Sequence, residues 1–222
     1  MFKPRSFFLG WCLFGVLTLL WLGGILYMPS DQYQGEIYKI IYLHVPSAAC
    51  AFFAALMLFL ASVGSLLKKG PNWAFYGRAS AEVGFLFTLI TLVTGSVWGK
   101  PTWGTWWTWD ARLTTTLILG FLYAGYLFLW FGLPLGQSRE RLCAALGVLI
   151  FFDVPIVYKS VTWWRTLHQP PTLLREGGSA MSPVMLYYLL ACLFVSLILC
   201  LWLVYQRSQQ FALKETLEDG VF

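Results

Sequence analysis

Charge is scarce in this chain. Only 11% of its 222 residues are Asp, Glu, Lys or Arg, while 59% are hydrophobic, which leaves too little polar surface for an ordinary soluble domain. Its five cysteines never form Cys-x-x-Cys, so no redox dithiol is indicated, and they read as small apolar packing residues. The absence of a Gly-x-x-x-x-Gly-Lys-Ser/Thr loop assigns any nucleotide-driven step to another chain. No internal repeat or linker stands out, and histidine occurs only twice, as His44 and His168.

What is abundant is apolar sequence in long runs, with a mean hydropathy of +0.68. Six runs, about 7–28, 45–67, 80–97, 113–133, 142–158 and 183–205, each approach the ~20 residues that cross a bilayer as a helix. Helices satisfy their own backbone groups in lipid, so the runs predict an all-α bundle of six transmembrane helices, one integral membrane domain over 1–222. Small residues at helical spacing, such as Gly120 and Ala124, favour close packing. Lys3 and Arg5 resemble the start of a signal peptide, but the run behind them is too long and lacks a small-residue cleavage site, so it reads as an uncleaved first helix.

The net charge of +5 lies in short connections between runs, where it reads as a topology signal rather than a nucleic-acid surface. Nine basic residues (Lys3, Arg5, Lys68, Lys69, Arg78, Arg139, Arg141, Arg207 and Lys214) fall on one side, against six (Lys39, Lys100, Arg112, Lys159, Arg165 and Arg175) on the other. The bias predicts both termini in the cytoplasm, with 206–222 a short cytoplasmic tail.

Between the third and fourth runs, on the outer side, five of the twelve tryptophans crowd together: Trp98, Trp103, Trp106, Trp107 and Trp109. An aromatic belt spreads its rings over many helix ends, whereas this concentration suits a platform for a large planar ligand. The segment is expected as a loop or a short interfacial helix; from Trp103 onward helical spacing would put Trp103, Trp107 and Asp110 on one stripe and Trp106 and Trp109 on the next. Asp110 is placed equally well to cap the fourth helix.

The topology sets His44 and His168 on the same side as these rings, in the connections beside them. Pro46 suits the first turn of the second span, and His168 follows Trp163-Trp-Arg165. Either histidine alone is readily an interfacial anchor; as a pair bordering tryptophans they are the ingredients of a bis-histidine iron porphyrin site. The missing Cys-x-x-Cys-His motif makes any such haem noncovalent, that is, b-type. Its propionates need cations, for which Arg112 and Arg165 are the best placed. Glu82 and Asp153 fall inside predicted spans, where acids are functional candidates; Arg78, four residues before Glu82, is its natural partner, while the role of Asp153 stays open.

The stretch from Trp98-Gly-Lys-Pro to Trp103-Gly-Thr-Trp-Trp-Thr-Trp-Asp110-Ala-Arg112 resembles the "WWD" signature of haem-handling membrane proteins. His44-Val-Pro-Ser, Asp153-Val-Pro-Ile and Trp163-Trp-Arg-Thr-Leu-His168-Gln169 resemble the flanking motifs of the family's short branch, CcmC, over nearly the whole chain. That resemblance implies a haem-transfer chaperone of cytochrome c maturation, rather than a classical enzyme, in a bacterial inner membrane with its haem site facing the periplasm. His44 and His168 match the axial ligands, and Trp103 to Asp110 match the platform. The implied partners are CcmE, which receives haem, together with CcmD and the ATP-binding cassette pair CcmA and CcmB. Arg165 departs from the family pattern, which has an uncharged polar residue there. A b-type electron-transfer cytochrome and a haem or small-solute permease are the alternative readings.

Overall fold

In the structure, a computed structural model, residues 4–67, 72–169, 179 and 181–219 are described. They form α1 (Pro4–Tyr27), a 3-10 helix (Glu36–Ile40), α2 (Ile41–Leu66), α3 (Asn72–Trp103), α4 (Ala111–Gly132), α5 (Gln137–Trp163) and α6 (Pro183–Asp219). Six of these helices are long and apolar enough to cross a membrane. The protein is therefore an all-helical, multi-pass membrane bundle.

The most buried side chains of α2 face α3, α5 and α6, so α2 runs through the middle while α1 lies at the edge against α6. Small residues permit the close approaches. A Cβ at Gly84 of α3 would stand 2.3 Å from the Tyr123 ring of α4, and one at Gly147 of α5 would stand 2.2 Å from the Ser62 hydroxyl of α2. Tyr123, fully buried, also donates its hydroxyl to the Ala51 carbonyl at 2.9 Å, tying α4 to α2.

α3 and α5 extend beyond their hydrophobic runs at both ends. α3 starts at Asn72 and carries Arg78 and Glu82 inside it; Glu82 pairs with Arg78 at 3.2 Å, as its spacing suggested, and also with Arg207 of α6 at 2.5 Å. The Arg78 guanidinium lies 3.6 Å from the centre of the Phe211 ring. A shared carboxylate and aromatic faces thus supply what hydrocarbon cannot. Asp153 is buried on α5, and its Oδ2 has no hydrogen-bond partner among the described residues.

At the other end the tryptophan segment, expected as a loop or an interfacial helix, is a loop. α3 continues through Trp103 and stops there because Gly104 takes φ +80°, its N–H donating to the Lys100 carbonyl at 3.1 Å. This is a left-handed glycine stop. Residues 104–110 are irregular, and Asp110 begins α4 by accepting the Leu113 N–H at 3.0 Å.

Candidate functional site

A cavity of about 280 Å³ opens among α2, α3, α4, α5 and the connections at this end. Its wall follows α3 from Trp98 down to Thr88, ten residues, or ~15 Å at 1.5 Å per residue. The deep part is apolar, lined by Phe52, Leu92 and Leu119, and the Thr88 and Thr91 hydroxyls there donate to their own helix at the Gly84 and Phe87 carbonyls. The chemistry lies at the mouth.

His44 sits in the first turn of α2, not in the preceding connection, because the 3-10 helix leads directly into α2 and buries Ile41 and Tyr42. Its Nδ1 is 2.9 Å from Thr94 Oγ1 on α3. The Thr94 hydroxyl gives its only hydrogen to the Ile90 carbonyl at 2.7 Å, so toward His44 it can only accept. Nδ1 therefore carries the proton, and Nε2 keeps a free lone pair. Gly95 makes room for this ring, since a Cβ there would lie 3.1 Å from His44 Cε1. Trp98 meets the imidazole edge-on at 5.6 Å between centroids.

His168 reaches the cavity from the irregular chain after α5. Its Nδ1 is 2.8 Å from the Gln169 carbonyl, an obligate acceptor, so here too Nδ1 donates and Nε2 is left with the lone pair. Burial and the Arg112 cation pull the His168 imidazole below its ordinary range, against the Gln169 carbonyl and Asp110. The Trp103 ring lies 6.4 Å away, tilted by 57°.

Three connections meet over the site. The Trp98 indole donates to Gln34 Oε1 at 2.6 Å, and Gln34 Nε2 donates to Gln169 Oε1 at 3.0 Å. An indole N–H can only donate, which orients both amides. Gln34 is itself held in a turn, where the Tyr33 and Gln34 amides donate to Asp31 Oδ1 at 2.9 and 2.8 Å. Asp110 Oδ2 accepts the Leu167 N–H at 2.9 Å and the Thr166 hydroxyl, and Thr166 Oγ1 accepts the His168 N–H at 3.0 Å. Burial works to raise the Asp110 carboxyl, but these donors and the Leu113 N–H outweigh it and hold the group below the usual carboxylate range.

Of the residues singled out in the sequence, the structure brings His44, His168, Trp98, Trp103, Trp107 and Arg112 onto one cavity wall. Arg112 donates through Nη1 to the Val157 and Tyr158 carbonyls at 2.5 and 3.1 Å, bracing α4 on α5. Trp106, Trp109, Asp110 and Arg165 lie off the wall; the first two rings are 57% and 78% exposed, and Arg165 is exposed. Lys100 turns back to the Gly104 carbonyl at 3.1 Å, and Arg175 lies outside the described residues. Thr94, Gly95, Gln34, Thr166 and Gln169 escaped notice as site residues. A signal for Thr94 was present in the run Thr88, Thr91, Thr94 at helical spacing on an apolar helix.

The fold and the site together define a class: a multi-pass membrane protein with a pocket lined by tryptophans and two imidazoles. The chain belongs to the CcmC family, heme exporter protein C, whose model matches residues 5–220. It is 38% identical over 208 residues to the "Heme exporter protein C" of Haemophilus influenzae, covering 91% of this chain and 85% of that protein. The protein of the same name from Bradyrhizobium diazoefficiens is 39% identical over 183 residues, 82% of this chain and 70% of the relative. That of Escherichia coli K12 is 45% identical over 167 residues, 73% of this chain and 66% of the relative. The protein thus handles haem within cytochrome c maturation. The donor set fits such a cargo, with two imidazole nitrogens of the type iron takes, flat apolar walls and one guanidinium on the wall.

Proposed function

We propose that the cavity holds one noncovalent b-type haem, its iron between Nε2 of His44 and Nε2 of His168. In this reading the histidine end faces the periplasm of a bacterial inner membrane, and haem is presented there to CcmE, with CcmD and the CcmA and CcmB transporter pair as companions. What supports this reading is that both imidazoles line one cavity and engage Nδ1 with Thr94 and the Gln169 carbonyl, which leaves Nε2 of each for iron.

Iron with two axial imidazoles is held by bonds at both faces yet can leave without breaking a covalent link to the chain. Trp98, Trp103 and Trp107 supply flat surface beside it. Arg112 spends Nη1 on α5 and keeps Nε and Nη2 for a propionate. Trp106, Trp109 and Arg165, off the wall, act at the rim or on a partner rather than on the haem edge. The apolar depth of the cavity excludes water beneath the ligand.

The test is haem retention. Protein purified with both histidines should carry close to one haem per chain, and His44→Ala or His168→Ala should each lower its affinity at least tenfold. Unchanged haem content in the double variant would end the proposal.

A further inference from the structure

We infer that Asp110 is the positioning residue for His168, holding the 166–168 segment so that Nε2 faces the cavity without itself touching the haem. This rests on the reading of His168 as an iron ligand. The two carboxylate oxygens have separate duties. Oδ1 caps α4 through the Leu113 N–H at 3.0 Å, while Oδ2 accepts the Leu167 N–H at 2.9 Å and the Thr166 hydroxyl. Thr166 Oγ1 then accepts the His168 N–H at 3.0 Å. One side chain at the start of α4 thereby secures three consecutive residues that come 56 to 58 positions later.

Little else holds that segment. α5 ends at Trp163, the chain beyond is irregular, and the Trp164 and Leu167 side chains are 51% and 56% exposed. A loop without ladder hydrogen bonds takes its register from side-chain contacts of this kind. The Gln34 amide reaches only as far as Gln169. Asp110 is absent from the cavity wall, so its proximity to His168 serves the ligand's placement.

Asp110→Asn separates the two duties. Asparagine caps a helix as well as aspartate does, but its NH₂ cannot accept from Leu167 or Thr166. Thr166→Val removes the relay hydroxyl while leaving the α4 cap intact. In both variants the ferric haem spectrum should shift from six-coordinate low-spin toward five-coordinate high-spin, and added imidazole should restore the low-spin form. Haem affinity should fall about ten- to a hundredfold, as for other outer-shell partners of metal ligands. In haem-free protein, hydrogen exchange at the Leu167 and His168 amides should quicken at least tenfold, while the Leu113 amide of Thr166→Val stays as protected as in the parent. A carboxylate serving only as a cap would lower thermal stability without a spin-state change that imidazole reverses. A spectrum that depends on His168 but is unmoved by Asp110→Asn and Thr166→Val would overturn this inference alone. A spectrum indifferent to His168→Ala would overturn the ligand reading, and this inference with it.

Discussion

Thr94 has one hydroxyl hydrogen and gives it to the Ile90 carbonyl, so its oxygen offers His44 only lone pairs. That acceptor favours the imidazole tautomer with its proton on Nδ1 and its lone pair on Nε2. Thr94→Val, nearly isosteric, puts a methyl group where the Nδ1–H had a hydroxyl acceptor, a loss worth about 1 kcal/mol or more. Haem titration of the variant should show binding weakened about ten- to a hundredfold, with Thr94→Ser close to the parent. Equal affinity for the valine and parent proteins would mean that the hydroxyl does not orient the ligand. Arg112 is a residue of two uses, since its Nη1 bonds to α5 account for its burial and its remaining N–H groups account for its place on the wall.

Among the elements, α3 carries most of the site. It contributes Thr94, Gly95, Trp98 and Trp103, and its position against α4 depends on Gly84. Adding a methyl group there brings Cβ to 2.3 Å from the buried Tyr123 ring, which cannot retreat without releasing the Ala51 carbonyl. Gly84→Ala should therefore destabilise the bundle by about 1–3 kcal/mol through overpacking, read as a lower unfolding temperature in detergent; an unchanged temperature would show that α4 shifts freely. The six helices were legible because runs of apolar residues at membrane length admit no other structure. Their ends were not. α3 reaches 72–103 rather than 80–97, running on through polar flanks such as Arg78, which is paired with Glu82, so charge does not mark the boundary. The expected interfacial helix gave way to Gly104, whose left-handed φ a side chain would resist. That His44, Trp98, Trp103 and His168 gather at one cavity was legible from residue type and from their places at the ends of the apolar runs. Gln34 was not, for its partners Trp98 and Gln169 lie 64 and 135 positions away, and no local pattern announces such contacts.

The whole molecule is polarised. One end gathers both histidines, the tryptophan segment and the cavity; the other carries Arg78, Arg139 and Arg207, with Glu82 between two of them and Arg139 against the Trp130 ring at 4.3 Å. With the arginine end in the cytoplasm, as the basic-residue bias favours, Arg165→Cys should react in intact cells with a membrane-impermeant maleimide, and Arg141→Cys should react only after the cells are opened. The reverse pattern would invert the proposed orientation. In the proposed reading one haem is held between two imidazoles at the histidine end of this bundle. Electron paramagnetic resonance of the ferric protein tests it most directly: the account predicts a low-spin bis-imidazole signal in the parent that becomes high-spin in both His44→Ala and His168→Ala. A parent signal that is already high-spin, or a low-spin signal that survives either substitution, would contradict it.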